Sequence, residues 1–325
     1  MTRPNISGIH HITAISASAV ENLAFYENTL GLRLVKQTVN FDDPTTYHLY
    51  YGDEQGTPGT ILTFFPWEKL PQGRPGSGMV TAIAFAVPMS IDSMDFWKRR
   101  VAAEGIRFET IERFGEPVIR FVDPHGLPLE LIGIPHPPDI SFRQAALIPK
   151  AHAITGFHSA TATLKELEPI TALLQDVMGM TLSGQENGRY RFSMDNPEDP
   201  GHYFNLIVDP QAHSGRAGSG TVHHIAFRTE NDATQVQWQS ILRRSGFDVT
   251  DVRDRQYFRS IYFRSPGGVL FEIATDSPGF SVDEAVADLG TSLKLPPQYE
   301  PSRAAIEKQL PPLRVDVSRK ESSIY

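Results

Sequence analysis

Two pairs of adjacent histidines and one glutamate stand where they could hold a metal ion. His10 and His11 lie near the start of the chain, and His223 and His224 lie in VHHIAF. Glu272 follows 48 residues after His224, at the end of SPGGVLFE. Two imidazoles and one carboxylate on one surface are the ligand set of non-haem Fe(II) sites, which leaves about three coordination positions open.

The pairing of the histidines leaves the choice of ligand open. Successive side chains of a strand point to opposite faces, so only one imidazole of each pair can face such a site. The apolar residues around the pairs do not decide which one. A single histidine is more often structural than a ligand. It is the position of both pairs within a repeat that favours a metal site.

An internal repeat must position these residues. GRAGSGTVHHIAF (215–227) matches GRPGSGMVTAIAF (73–85) at an offset of 142 residues, and the same offset brings Glu130 onto Glu272. GIHHITAIS (8–16) lies over GFHSATATL (156–164) at an offset of 148 residues. Each copy begins with an alternating strand, continues with an amphipathic segment ended by glycine, and finishes with short strands joined by turns. Repeats of this size predict the architecture of the chain.

The repeats divide the chain into four units of strand, helix and three strands. We place module 1 at 8–67, module 2 at 78–134, module 3 at 155–209 and module 4 at 220–276, with a linker at 135–154 and a tail or lid at 277–325. On the first strands, the equivalent positions are His11, Ala82, Ser159 and His224. On the last strands, they are about Thr63, Glu130, about Ile207 and Glu272. The possible metal ligands are distributed unevenly among the four modules. This indicates that duplication supplied the scaffold and that modules 1 and 4 kept the metal.

Composition excludes several classes of protein. The net charge of −8 argues against a polyanionic partner, and no basic stripe with interleaved aromatic residues indicates nucleic-acid binding. No run approaches the roughly 18 apolar residues that would span a membrane. Cysteine is absent, which excludes disulfides and thiolate chemistry. We therefore expect a cytoplasmic protein without nucleic-acid or membrane partners.

Several motifs together resemble the ring-cleaving dioxygenases of the vicinal-oxygen-chelate superfamily, in particular the hydroquinone and chlorohydroquinone branch. They are HHIT (10–13), YHLYYGDEQGTPGT (47–60), GFHS (156–159), VHHIAF (222–227), DRQYFRSIY (254–262) and SPGGVLFE (265–272). The resemblance covers nearly the whole chain. It implies an α+β fold of four βαβββ modules paired into two curved-sheet barrels, modules 1 with 4 and 2 with 3. It also implies that the metal ligands are His11, His224 and Glu272.

The resemblance implies further site residues. Tyr262 and Arg255 match a tyrosine and an arginine that bind and polarise the substrate in that family. Tyr262 lies ten residues before Glu272 across the SPGG turn, so a hairpin can bring both side chains near the metal. Thr13 shares the face of His11 and is a candidate to orient a water or a substrate oxygen. Candidates for pocket walls are Phe64, Phe204 and Trp67.

The implied reaction is cleavage of an aromatic ring by an Fe(II) enzyme. The expected partners are O2 and a small hydroquinone-type or catechol-type diol, and Mn(II) accepts the same ligands as Fe(II). One alternative is a glyoxalase-type metal-dependent isomerase or lyase, which predicts a fourth carboxylate near Thr63. Another is a small-molecule-sequestering resistance protein, although such proteins are short two-module chains. The sequence leaves open the ring substituents, whether the chain forms a homo-oligomer, and the roles of His10, His223 and His48.

Overall fold

A computed structural model describes residues 3–138, 148–196 and 199–313, and its strands follow the four repeats. The strands of the first two modules are β1 (Ile9–Ser16), β2 (Arg33–Asn40), β3 (Asp43–Gly52), β4 (Ile61–Pro66), β5 (Met79–Pro88), β6 (Glu109–Arg113), β7 (Glu116–Val122) and β8 (Pro128–Ile134). Those of the last two are β9 (Phe157–Leu164), β10 (Thr181–Glu186), β11 (Arg189–Ser193), β12 (Tyr203–Val208), β13 (Thr221–Thr229), β14 (Arg253–Asp254), β15 (Phe258–Arg264) and β16 (Leu270–Pro278).

In the described part of the chain, these strands form two eight-stranded sheets. The first has the order β14-β15-β16-β13-β1-β4-β3-β2, and the second has the order β10-β11-β12-β9-β5-β8-β7-β6. The first sheet therefore joins modules 1 and 4 through the antiparallel pair β1 and β13. The second joins modules 2 and 3 through the antiparallel pair β5 and β9. The predicted fold class and the predicted pairing of modules are confirmed.

One helical segment follows the first strand of each module. These segments are α1 (Ala19–Leu23) with a π-helical turn at Ala24–Thr29, α2 (Ile91–Ala103), α3 (Glu168–Ala172) with a π-helical turn at Leu173–Val177, and α4 (Asp232–Arg244). A capping box begins α4, because the side chain of Asn231 accepts from the backbone N–H of Thr234 and the Thr234 hydroxyl accepts from the N–H of Asn231. A fifth helix, α5 (Arg303–Gln309), lies in the tail. Among the described helices, none has the length and apolarity needed to cross a membrane.

The central strands of the first sheet are buried on both faces. All eight residues of β1 and all six residues of β4 are buried. Helices pack on one face of each sheet, where Trp97 of α2 and Trp238 of α4 are fully buried. The opposite, concave face holds the polar side chains of β1, and these would be costly to bury without partners. The concave face is consequently the expected location of the functional site.

The tail fastens module 1 to module 4. Lys36 of β2 is fully buried and forms ion pairs with Asp283, at 2.6 Å, and with Glu284. Asp283 also accepts a hydrogen bond from the Tyr257 hydroxyl at 3.0 Å. Arg33 of β2 donates to main-chain carbonyls of the tail, including that of Val286 at 2.8 Å. Of the predicted linker and tail, residues 139–147 and 314–325 lie outside the described residues.

Candidate metal centre

Three ligand atoms converge on the concave face of the first sheet. Nε2 of His11 lies 3.3 Å from Nε2 of His224 and 3.4 Å from Oε2 of Glu272. Nε2 of His224 lies 2.9 Å from the same oxygen. All three side chains are buried, and among the described residues they form a group that could hold a metal ion.

Strand register explains the convergence. The three residues lie on neighbouring strands, because β1 pairs with β13 and β13 pairs with β16. Ala226 is the partner of His11 on one side and of Glu272 on the other. His224 lies two residues before Ala226, so it points to the same face as both.

The three distances fit one ion that all three donors share. Donor atoms about 2.1 Å from an ion lie about 3.0 Å apart in adjacent octahedral positions and about 3.4 Å apart in tetrahedral positions, and the observed distances of 2.9 to 3.4 Å fall in this range. Oε2 of Glu272 is fully buried and has no hydrogen-bond partner in the part of the chain that the structure describes. A buried carboxylate oxygen without a proton donor is costly unless a cation neutralises it. The donor set therefore fits a divalent metal ion.

The protonation states of the centre also favour ligation. Burial lowers the pKa of His224, so its imidazole is neutral at pH 7. Burial acts to raise the pKa of Glu272, but His11 and His224 outweigh it and hold that pKa well below its usual range. A neutral imidazole and an ionised carboxylate are the forms that bind metals.

The first histidine of each pair supports the second. Nδ1 of His10 lies 2.9 Å from Nδ1 of His11, and Nδ1 of His223 lies 2.8 Å from Nδ1 of His224. His10 also hydrogen bonds to the backbone of Thr275. If its Nε2 donates to that carbonyl, Nδ1 of His10 accepts the proton of His11, and Nε2 of His11 keeps its lone pair for a metal.

Ser260 supports the carboxylate, and sequence reasoning missed it. Its hydroxyl donates a hydrogen bond to Oε1 of Glu272, and both side chains are fully buried. This contact leaves Oε2 as the oxygen that faces the histidines. The available signal was that Ser260 lies two residues before Tyr262 and hence on the same face of its strand.

Tyr262 and Arg255 lie beside the triad. Tyr262 is the cross-strand partner of Glu272, and its ring centroid is 5.8 Å from that of His224. Burial raises its pKa, so the side chain is a neutral phenol at pH 7. Arg255 Nε donates to the Tyr262 hydroxyl at 3.2 Å, and Arg255 Nη2 pairs with Asp42 at 3.4 Å. The hydroxyl of Tyr262 is therefore oriented by a cation.

Thr13 is placed differently from these residues. It is fully buried, and its hydroxyl accepts a hydrogen bond from Thr63 at 2.9 Å. Thr63 in turn lies 2.8 Å from Nε2 of His48, whose Nδ1 lies 2.8 Å from the hydroxyl of Tyr50. This network occupies the position where module 4 carries Glu272. Alternation in YHLYY places His48 and Tyr50 on one face, but no role was predicted for either residue.

A cavity of about 350 Å³ opens on His11 and His224. Its walls include His48, Tyr50, Phe65, Trp67, Phe258 and Tyr262. Of the predicted wall residues, Trp67 lines the cavity, whereas Phe64 and Phe204 are fully buried in the hydrophobic core. The cavity falls in the size range of small-molecule sites, and six of its sixteen lining residues are Phe, Tyr or Trp.

The equivalent place in the second sheet is closed by arginine. Arg113 donates to both carboxylate oxygens of Glu130, at 2.7 and 3.0 Å. In module 3 the position equivalent to Glu272 is held by Asn205, because Asn205 pairs with Thr161 as Thr63 pairs with Thr13. The expectation of Ile207 at that position is therefore wrong by two residues. A guanidinium group neutralises Glu130, whereas among the described residues no arginine or lysine pairs with Glu272, whose Oε2 faces the two imidazoles.

Comparison with known proteins agrees with this organisation. Residues 8–131 and 156–273 match the family model described as Glyoxalase/Bleomycin resistance protein/Dioxygenase superfamily. MhqO of Bacillus subtilis (strain 168), whose given name describes a ring-cleaving dioxygenase, is 46% identical over 95% of this chain and 97% of its own length. The chlorohydroquinone/hydroquinone 1,2-dioxygenase of Sphingobium indicum is 32% identical over 91% of this chain and 93% of its own.

A solved structure supports the same relationship. A crystal structure from Bacillus subtilis subsp. subtilis strain 168, titled as that of a dioxygenase, superposes with a TM-score of 0.90 at 45% identity. The superposition covers 97% of this chain and 99% of the other. The resemblance first seen in short motifs thus extends over nearly the whole length of both chains.

Proposed function

This chain belongs to the Glyoxalase/Bleomycin resistance protein/Dioxygenase superfamily as a ring-cleaving dioxygenase, and we propose that it opens hydroquinone-type rings with Fe(II). We assign the metal to His11, His224 and Glu272. The observation that carries the proposal is the triangle of their three ligand atoms, with edges of 2.9 to 3.4 Å, at the base of an aromatic-walled cavity. The three protein ligands would then lie on one side of the metal ion, and the side towards the cavity would be open to substrate and O2.

The open face suits a reaction between two bound partners. When bound, Fe(II) would acidify a substrate hydroxyl and supply electrons to dioxygen. The cavity walls hold the ring of the substrate against the triad and exclude water from it. In the overall reaction a ring carbon–carbon bond breaks and both atoms of dioxygen enter the product.

Tyr262 and Arg255 would stabilise negative charge on a substrate oxygen. Because burial keeps the pKa of Tyr262 high, its phenol can donate a hydrogen bond to a substrate oxygen on which negative charge develops. Arg255 holds this phenol by its 3.2 Å hydrogen bond and adds positive charge near the same point. Tyr262 is thus proposed as a catalytic residue and Arg255 as its positioning residue.

We favour a hydroquinone over a catechol as the substrate. The argument is the relative from Sphingobium indicum, whose name specifies chlorohydroquinone and hydroquinone and whose sequence aligns with nearly all of this chain. A glyoxalase-type isomerase is disfavoured, since Thr63 stands where a fourth ligand would be needed and its hydroxyl is engaged with Thr13 and His48. A sequestering protein that binds its ligand without a metal ion would give the buried Oε2 of Glu272 no cation to bind.

Oxygen uptake tests the proposal. Anaerobically prepared protein is loaded with Fe(II), and oxygen consumption is measured with hydroquinone and then with catechol. His224→Ala should abolish uptake, whereas the matched variant His213→Ala, at an exposed position outside the cavity, should retain it. If iron binds but neither diol consumes oxygen, ring cleavage of simple diols is wrong. Uptake with catechol alone would overturn the substrate class but keep the reaction.

A further inference from the structure

Tyr50 in module 1 is the counterpart of Tyr262 in module 4. Tyr262 is the cross-strand partner of Glu272, and Tyr50 is the cross-strand partner of Thr63, which occupies the position equivalent to Glu272. In the first sheet, Tyr262 lies on β15 and Tyr50 lies on β3, so the two residues stand on opposite sides of the three strands that carry the triad. Both side chains line the cavity. The cavity is therefore bounded by a phenol on each side of the triad.

The hydrogen bonds beside Tyr50 have a fixed direction. Thr63 donates its only hydroxyl proton to Thr13, at 2.9 Å. Towards Nε2 of His48, which lies 2.8 Å away, the Thr63 oxygen can therefore only accept. Burial lowers the pKa of His48 well below its usual range, so its imidazole is neutral at pH 7 and carries one proton. That proton consequently lies on Nε2, and Nδ1 has a lone pair.

Tyr50 donates its proton to this lone pair. Its hydroxyl lies 2.8 Å from Nδ1 of His48, and burial raises the pKa of Tyr50, so the side chain is a neutral phenol. In the described part of the chain, no side chain donates to the Tyr50 oxygen. The ring is held by His48 and by Phe280 of the tail, with centroid distances of 4.1 and 5.1 Å. Towards the cavity, Tyr50 therefore offers a hydrogen-bond acceptor and no donor.

Tyr262 has the opposite hydrogen-bonding polarity. Its oxygen accepts from Nε of Arg255 at 3.2 Å, so its own proton remains for a substrate. A donor at this position suits a substrate oxygen that has lost its proton and carries negative charge. The acceptor on Tyr50 suits a substrate oxygen that still carries its proton. The two tyrosines can thus distinguish the two ends of one substrate molecule.

We propose that Tyr50 accepts a hydrogen bond from the substrate hydroxyl that does not bind the metal, and that His48 and Thr63 fix the direction of this bond as positioning residues. The inference rests on the proposed function and specifies its substrate class. In a hydroquinone-type ring the two oxygens lie at opposite ends, as the two tyrosines lie on opposite sides of the triad, whereas in a catechol-type ring they are neighbours. A ring that lacks the second hydroxyl has no proton for Tyr50 and is rejected.

Anaerobic binding to the Fe(II)-loaded protein tests the acceptor without turnover. The two probes are hydroquinone and 4-fluorophenol, which has nearly the same shape but no second proton to donate. We expect hydroquinone to bind about tenfold more tightly or better, and Tyr50→Phe should bring the two Kd values together. Tyr51→Phe is the matched control, because Tyr51 is fully buried on the opposite face of β3 and donates to Asn22 at 2.9 Å. It should keep the preference for hydroquinone, and equal preferences in the two variants would refute the role of Tyr50.

Nitrogen NMR of the metal-free protein at pH 7 tests the direction of the network independently. His48 should carry its proton on Nε2, and a proton on Nδ1 would reverse the network and overturn the proposal. Oxygen uptake together with equal binding of the two phenols would refute the acceptor and leave ring cleavage standing. The expected preference without oxygen uptake would support the acceptor and refute ring cleavage. Binding of neither phenol would overturn both, and circular dichroism verifies that each variant is folded.

Discussion

Replacing Ser260 by alanine tests how the chain holds its carboxylate ligand. The Ser260 hydroxyl donates to Oε1 of Glu272, and neither side chain is reached by solvent. A hydrogen bond to a charged group contributes about 1.5–3 kcal/mol, and its loss leaves a buried oxygen without a donor. We therefore expect Ser260→Ala to lower the free energy of unfolding of the metal-free protein by about 2 kcal/mol.

The same change should weaken the metal site. Without the serine, Glu272 loses the contact that directs Oε2 towards the two histidines. Loss of such an outer partner typically lowers metal affinity 10-fold to 100-fold, which corresponds to about 1.4–2.7 kcal/mol. Fe(II) or Mn(II) affinity is measured by competition with a chelator under anaerobic conditions, and stability is measured by urea unfolding.

Ser159→Ala provides the matched control. Ser159 is equally buried, belongs to the second barrel, and accepts a hydrogen bond from the Asn205 side chain at 3.0 Å. Its loss should reduce stability by about 1 kcal/mol and leave metal affinity unchanged. Unaltered metal affinity in Ser260→Ala, or an equal loss in Ser159→Ala, would show that the serine does not orient the ligand.

Three further outcomes are expected. Tyr262→Phe should lower kcat about 100-fold while iron content stays at the level of the unmodified protein; an unchanged kcat would remove the phenol from the mechanism. Burial acts to raise the pKa of Glu116, but His158 and Arg191 hold that pKa at about 2. The ionised carboxylate therefore stabilises the fold above pH 4.5, and this stabilisation is lost as the pH falls towards 2. Glu116→Gln should accordingly cost about 2 kcal/mol at pH 7 and almost nothing at pH 2, and a cost independent of pH in urea titrations would contradict this. Lys36→Met should lower the free energy of unfolding by about 3 kcal/mol, because it strands two carboxylates of the tail, whereas Lys98→Met on the surface of α2 should change it little.

The repeat made the architecture predictable. Equivalent strands with alternating apolar residues indicate which side chains share a face, and the offsets place Glu272 and one histidine of each pair on the same face. The prediction that Tyr262 lies near Glu272 needed only the length of a hairpin, and the structure pairs these two residues directly.

Contacts that depend on exact register were not predictable. Ser260 pairs with Ala274, and its hydroxyl reaches Oε1 of Glu272 diagonally across the two strands. The pairing of β9 with β12 places Asn205 at the position equivalent to Glu272, two residues before the expected position at about Ile207. For adjacent aromatic residues, one side chain enters the core and the next enters the cavity, as Phe64 and Phe65 do. A shift of one residue exchanges these roles, and composition carries no information about it.

The split of the first barrel between the two ends of the chain sets an order of assembly. Modules 2 and 3 are contiguous in sequence, so their barrel can form while the chain is still being synthesised, whereas β1 must wait for β13 and β16. Joining β1 to β13 closes a loop of about two hundred residues, which carries an entropic penalty for an unfolded chain. The prior folding of the inner barrel shortens that loop and carries β1 towards its partner. A nascent chain that ends before Glu272 therefore lacks one of the three proposed ligands, so the proposed metal site is completed only when synthesis is nearly finished.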